Sequence, residues 1–257
     1  MNKRHFRPGV ATLIGVVFLL LLWLVLAILI AQDAILPGPL SVAQRLLRDV
    51  QSPLFWSAVG DTATEAVLGS LCAAAVALPL AYVMYRSRFI SAASEPLLAL
   101  SQSIPAVALA PLLVIWVGYG LRAIVLLCAL IVFFPILVNT VLGFRSLPRE
   151  VLEAARLDGA NSFQLLFHIE GPMALPAVLA GFRTGFTLSI TGAVVGEFVM
   201  GGQGLGARLS AQSAAADMTG LFATTLVLIS LAAVIFSGIS ILERQSRTLR
   251  ALRDTKE

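Results

Sequence analysis

The most constraining feature of this chain is a series of long, predominantly apolar runs. The first, Val10 to Ala31, is 22 residues long and carries no charge. About 20 apolar residues span a bilayer as a helix, and a backbone crossing lipid must satisfy its own hydrogen bonds, which a helix does. Six such spans are expected, at 10–31, 57–85, 95–118, 122–143, 172–196 and 219–242, in a single all-α membrane domain covering 1–257. Composition agrees: 58% of residues are hydrophobic and 12% charged, with a mean hydropathy of +0.92, against roughly half apolar and a quarter charged in soluble domains. The first run is too long for a signal-peptide core of about 7–15 residues and reads as a span that stays.

Charge placement predicts orientation, because basic residues collect on the cytoplasmic side. With the N-terminus inside, Lys3, Arg4, Arg7, Arg86, Arg88, Arg145, Arg149, Arg156, Arg244, Arg247, Arg250, Arg253 and Lys256 lie inside. Arg45, Arg48, Arg122 and Arg208 lie outside, and Arg183 sits near a membrane end, snorkelling to the cytoplasm. Both termini are therefore expected to be cytoplasmic, in a multi-pass protein of the bacterial inner membrane. The net charge of +4 follows from topology, and a nucleic-acid partner is not expected.

Several chemistries lack their residues. The only lysines, Lys3 and Lys256, are terminal, so no G-x-x-x-x-G-K-[ST] phosphate loop exists. His5 and His168 cannot form an H-E-x-x-H site, and no metal site is expected. Cys72 and Cys128 stand singly in apolar runs and read as small buried hydrophobes. "GGQGLG" at 201–206 follows no strand and reads as a turn at the membrane surface. Between the first two spans, "LPGP" marks a turn, and Ser41 is placed to cap a short amphipathic helix from Val42 to Val50.

The segment 146–171 interrupts the apolar pattern and falls on the cytoplasmic side. Pro148 can open a helix through "REVLEAARL", with Ser146 nearby as a cap. Gly159 sits where a left-handed C-cap belongs. Asn161 or Ser162 can cap a second piece, "FQLLFHIE", with Phe163, Leu166 and Phe167 at helical spacing, ended by Gly171-Pro172. Caps, a glycine turn and an apolar face suit a rigid docking element better than a linker.

"EAARLDGA" within this segment resembles the EAA motif of ABC-importer permeases, with Glu153, Ala154, Ala155, Gly159 and a later Pro172, at a slightly longer interval than the usual pattern. "SQSIPAVALAPLLVIWVGYG", "FFPILVNTVLGFRSLPREVLEAARLDGA" and "VVGEFVMGGQGLGARL" are similar to permeases for nitrate, sulfonate, taurine, thiamine-precursor and riboflavin uptake, the last resembling the thiamine-precursor and riboflavin members most. The resemblance implies a type I importer fold with cytoplasmic coupling helices, working with a second permease copy, cytoplasmic ATPase subunits and an extracytoplasmic binding protein. It implies that the chain is not itself an enzyme and binds no cofactor, ATP and Mg belonging to the partner ATPase. Glu153, Arg156, Asp158 and Ala160 would border the docked surface, Ala154 and Ala155 allow close approach, and Gly159 and Pro172 shape the turn and exit.

For the pathway, prolines at 79, 105, 111, 135 and 176 mark bends in spans. Pro105 with Gln102 and Ser103 is a candidate lining, or a simple packing kink. Asn139 and Thr191 are further candidates, although hydroxyls and amides in spans commonly tie helices together, as read for Thr187 and Ser189. Glu197, at the end of the fifth span, is either functional or a headgroup-level acid. Asp61 and Glu65 share a helix face and read as solvated. A stand-alone secondary transporter would call for internal repeats and buried ion-coupling acids, and a membrane enzyme for a His/Asp/Glu cluster; neither pattern is visible.

Overall fold

The computed structural model describes residues 8–102 and 104–245. Every regular element there is helical: α1 (Pro8–Ile30), α2 (Pro39–Asp49), α3 (Pro53–Arg86), α4 (Arg88–Gln102), α5 (Ala106–Val117), α6 (Leu121–Arg145), α7 (Arg149–Leu157), α8 (Ser162–Leu165), a π-helical turn (Leu166–Glu170), α9 (Gly171–Met200), α10 (Leu205–Ala214) and α11 (Met218–Gln245).

Four helical stretches are long and apolar enough to cross a membrane: Pro53–Arg86, Leu121–Arg145, Ser162–Met200 and Met218–Ile241. They match the second, fourth, fifth and sixth expected spans. Ile14–Ile30 of α1 and Val107–Val117 of α5 are shorter apolar stretches. The expected continuous span 95–118 is instead two helices, α4 and α5, parted at Ile104-Pro105. Pro105 has no N–H to continue α4 and stands as the N-cap of α5 with extended backbone. The other prolines flagged as bends, Pro79, Pro111, Pro135 and Pro176, lie within continuous helices.

The centre of the molecule is α6 packed between α3 and α9. Small residues set the approach. A Cβ on Gly192 would lie 3.2 Å from the Cys128 Cα, and one on Gly181 would lie 3.1 Å from the Pro135 carbonyl oxygen. Lipid offers helices no hydrophobic drive to associate, so such close backbone packing is what holds them together. Leu127, Cys128, Val132, Ile136 and Leu137 fill the middle layer, all buried. Cys72 departs from expectation and is exposed. The buried stripe of α3 runs through Gly69, Ser70, Ala73 and Ala77, and position 72 falls outside it.

α2 ends where expected but starts earlier. It begins at Pro39, a favoured first-turn residue, behind Gly38 rather than behind Ser41, and its C-cap is Val50. From Ile14 to Ile30 α1 exposes apolar side chains along most of its length, and it is held by Trp23, whose ring stacks on Phe222 at 5.9 Å and whose indole N–H donates to the Pro37 carbonyl at 3.1 Å.

Candidate functional site

α9 has 30 residues and is about 45 Å long by the helical rise, so it separates two regions that the sequence singled out. One end carries the 146–171 segment and is called the loop end below. The other carries Glu197 and the glycine-rich turn, and is called the glycine end.

At the loop end, α7 ends in a Schellman arrangement. The Gly159 N–H donates to the Arg156 carbonyl at 3.1 Å and the Ala160 N–H to that of Ala155 at 3.0 Å. Gly159 has φ +86°, the left-handed conformation expected of it. Asn161 caps α8 reciprocally with Gln164, each side chain accepting the other's backbone N–H at 2.8 and 2.9 Å. Ser146 does not cap α7; its hydroxyl donates to the Gly143 carbonyl at 2.8 Å at the end of α6, and Pro148 is the N-cap. Gly171-Pro172 does not end the second piece either. The chain passes through the π-helical turn directly into α9, with Pro172 in its first turn. A Cβ on Gly171 would lie 2.8 Å from the Leu166 carbonyl oxygen, so glycine permits the wide turn that carries the helix past the proline.

Leu152 and Leu165 are buried and anchor the segment against Phe144, Leu147 and Ala174. Ala155 is half-buried against the same cluster, whereas Glu153, Ala154, Arg156, Asp158 and Gly159 are exposed. The apolar side chains that face away from the bundle are Leu157 at 89% exposure, Phe163 at 72% and Phe167 at 58%. The two phenylalanine rings lie together, 4.6 Å between centroids. Of the apolar face expected on the second piece, Leu166 is half-buried instead. Beneath the loop, Glu170 is fully buried, accepts the Tyr85 hydroxyl at 3.3 Å and lies 3.8 Å from the Arg86 guanidinium. The adjoining cavity, about 450 Å³, is lined by Tyr85, Arg88, Arg145 and Arg149 among others.

At the glycine end, Glu197 is fully buried, not at headgroup level with its carboxylate in water. Thr62 donates to its Oε1 at 2.6 Å, and Thr62 in turn accepts the Leu205 N–H at 2.8 Å. Glu197 Oε2 accepts the Gly206 N–H and, at 3.3 Å, that of Ala207. Thus the first three amides of α10, which no intrahelical carbonyl can satisfy, are all satisfied from α3 and α9. A carboxylate there also meets the positive end of the helix dipole. Gly201 turns the chain at φ +75°. Gly204 and Gly206 leave room for the carboxylate: a Cβ on Gly204 would overlap Glu197 and Thr62, and one on Gly206 would sit 2.6 Å from the Val194 carbonyl oxygen. The glycines of "GGQGLG" therefore serve this junction.

An ion network closes the same end. Arg45 on α2 pairs with Asp49 at 3.3 Å and Asp217 at 2.8 Å, and Arg208 pairs with Asp49 at 3.4 Å. Burial alone would depress the Arg45 pKa, but the two carboxylates outweigh it and raise it. Beside this network, Asp61 and Glu65 line a cavity of about 530 Å³ with Thr64, Tyr119, Gln203 and Ile124. Glu65 is 5% exposed and stands beside Glu197, contrary to the solvated reading of this helix face.

The other pathway candidates do not gather here. Asn139 donates to the Pro135 carbonyl of its own helix at 2.8 Å and packs against Gly181, about 24 Å along α9 from Glu197. Thr191 is exposed, on a different side of α9 from buried Glu197. Gln102 is the last residue of α4, and Ser103 lies outside the described residues. Thr187 and Ser189 bond carbonyls of their own helix, and the Arg183 guanidinium lies 5.3 Å from the centre of the Phe236 ring. Among the described residues no group of three or more His, Cys, Asp or Glu is placed to hold a metal ion. Sequence reasoning missed Thr62 and Glu170; Thr62, next to Asp61 and three residues before Glu65, carried a signal only in company with them.

The same fold occurs in a chain of the inward-facing MetNI methionine ABC transporter, with a TM-score of 0.66 at 20% identity over 74% of this chain and 95% of that one. A chain of an amino acid ABC transporter crystallised with histidines gives 0.62 at 18% identity over 75% and 94%. In sequence, the riboflavin transport system permease RibX of Chloroflexus aurantiacus is 42% identical over 92% of this chain and 90% of its own length. The formylaminopyrimidine transport permease ThiX of Halalkalibacterium halodurans is 32% identical over 94% and 96%. The taurine transport permease TauC of Escherichia coli is 28% identical over 79% and 75%. Residues 66–248 match the family described as the binding-protein-dependent transport system inner membrane component, so this chain belongs to that family of multi-pass ABC-transporter permeases.

Proposed function

We propose that this chain is the membrane-spanning half of an ATP-driven importer, passing a small solute handed over by an extracytoplasmic binding protein. The carrying observation is the build of the loop end. Two capped helices are anchored by Leu152 and Leu165 on one side and present Leu157, Phe163 and Phe167 on the other. Exposed aromatic and aliphatic side chains on a rigid polar loop are what a protein partner would cover. On this reading the loop end is cytoplasmic, as are both termini, and the chain lies in the inner membrane. Glu153, Arg156 and Asp158 supply polar contacts at the edge of the docked patch, Ala154 lets the ATPase approach closely, and Gly159 and Ala160 hold the turn. Pro172 joins the loop stiffly to α9. ATP and Mg are bound by the partner ATPase, and a second copy of the chain completes the permease.

Mechanistically, the loop transmits the ATPase's movement only if it moves as a body. The π-helical turn makes α8 continuous with α9, so a displacement of the docked patch is a displacement of α9 and of α6 packed on it. The bundle then exchanges between states facing the two sides of the membrane. The relatives named for riboflavin and formylaminopyrimidine transport favour a heterocyclic cargo over a nitrate-, sulfonate- or taurine-like anion.

The test is co-purification from membranes followed by uptake in proteoliposomes. An ABC ATPase should accompany the wild-type chain and be lost from a Leu157→Asp/Phe163→Asp variant that retains its fold. ATPase retained at full stoichiometry by that variant, with unimpaired ATP-driven uptake, would refute the docking role.

A further inference from the structure

Glu170 is the last residue of the π-helical turn and leads directly into α9. Its side chain is fully buried, and among the described residues its polar partners both come from the last turn of α3. Tyr85 donates its hydroxyl to Oε1 at 3.3 Å, and the Arg86 guanidinium lies 3.8 Å from the same oxygen. Oε2 has no hydrogen-bond partner. The charge at the exit of the loop is thus held from α3, a helix some eighty positions back along the chain.

This contact differs in kind from the packing around it. Apolar helix faces in a membrane protein can shift past one another at small cost, because lipid is as apolar as they are. A buried carboxylate cannot leave its partners so easily, since losing them strands a charge away from water. The last turn of α3 is also firmly mounted. The Tyr85 ring stacks on Phe144 of α6 at 5.2 Å, Tyr82 meets the same ring edge-on at 5.7 Å, and the Arg86 guanidinium lies 5.7 Å from the centre of the Tyr82 ring.

The glycine end repeats the arrangement in reverse. There Glu197, near the end of α9, is fully buried and takes the hydroxyl of Thr62 from the first half of α3. The two carboxylates lie about 40 Å apart along one helical run, and antiparallel α3 offers each of them its partner. Buried carboxylates therefore clasp α3 to α9 at both ends.

We propose that Glu170 is a positioning residue for transport: it makes α3 follow the loop, so that α3 and α9, clasped at both ends, carry the loop's movement to the glycine end as one frame. This rests on the permease reading and deepens it, adding α3 to the helices that move with the docked patch.

The experiment is a spin-label distance measurement on the permease–ATPase complex in lipid nanodiscs. Labels are placed through Val83→Cys on α3 and His168→Cys on the π-helical turn, both exposed positions, in a Cys72→Ala/Cys128→Ala background with labelled chain diluted by unlabelled chain. In the otherwise wild-type chain the separation should be the same without nucleotide and with ATP plus vanadate. Glu170→Ala should match it without nucleotide and depart from it by about 2 Å or more with ATP plus vanadate, the size of helix shifts in switching proteins. Tyr85→Phe, which keeps its ring on Phe144 and loses only the hydroxyl, should depart in the same direction by a smaller amount, and it decides the matter if Glu170→Ala does not fold. A wild-type separation that changes with nucleotide, a folded variant that keeps the wild-type separation in both states, or a displacement equally large without nucleotide, as a merely structural contact would give, would each overturn the positioning role. Those results leave the permease reading intact, because the complex measured contains the ATPase. A chain with which no ATPase co-purifies would strike the permease reading itself, and this role with it.

Discussion

The two ends of α9 handle polar and apolar groups in opposite ways. At the glycine end the chain closes on itself: a buried carboxylate, a threonine and three amides satisfy one another across three helices, and glycines are present because nothing larger fits. At the loop end the same chain stops short of closure. Two leucines anchor the segment, while Leu157, Phe163 and Phe167 face outward. A junction complete within one chain stabilises the fold. An apolar surface left open in this way gains only when something else covers it.

That contrast is open to breakage from either side. The largest effect is expected from Gly206→Val, which forces a side chain against the Val194 carbonyl and Glu197. The loss should be about 4 kcal/mol, read as collapse of the monodisperse gel-filtration peak. Glu197→Ala leaves the Gly206 and Ala207 amides without acceptors and should cost about 3 kcal/mol, visible as a lowered thermal midpoint in detergent. Thr62→Val removes one donor and one acceptor from the same junction, and a loss of about 1–2 kcal/mol is expected by the same measurement. At the loop end, Asn161→Ala should cost about 1 kcal/mol, confined to faster amide hydrogen exchange in α8. The smallest effect on folding belongs to Leu157→Asp/Phe163→Asp, within about 0.5 kcal/mol, while ATP-coupled uptake falls by about tenfold or more. If the loop-end pair proved as destabilising as Glu197→Ala, the division between a closed end and an open end would not stand.

Much of this was legible along the chain, and the reason is local. Gly159 announced a left-handed C-cap because only the residues around it decide that conformation, and its φ is +86°. Asn161 was recognisable as a cap for the same reason, its partner Gln164 lying three residues on. The long apolar runs marked α3, α6, α9 and α11 because a helix in lipid needs nothing beyond its own length and polarity. Where neighbours across the fold intervened, expectation failed. Glu197 looked like an end-of-span acid, and its burial was decided by α10 folding back over it. Span 95–118 looked continuous, and Pro105 parted it. Gly171-Pro172 looked like a stop, and the π-helical turn carried the helix through.

Taken alone, the order of residues determined that the chain is helical, that it is built for a membrane, and that one polar segment in it has the caps and turn of a rigid element. These follow from periodicity, hydropathy and short-range geometry, which each residue shares only with its near neighbours. Tertiary structure alone decided that Thr62 and Glu197, 135 positions apart, cap a helix together, and that Asp61 and Glu65 border one cavity with Tyr119 and Gln203. Hydrogen bonds and burial are properties of pairs in space, and no spacing along the chain encodes which distant backbone amide will meet a carboxylate.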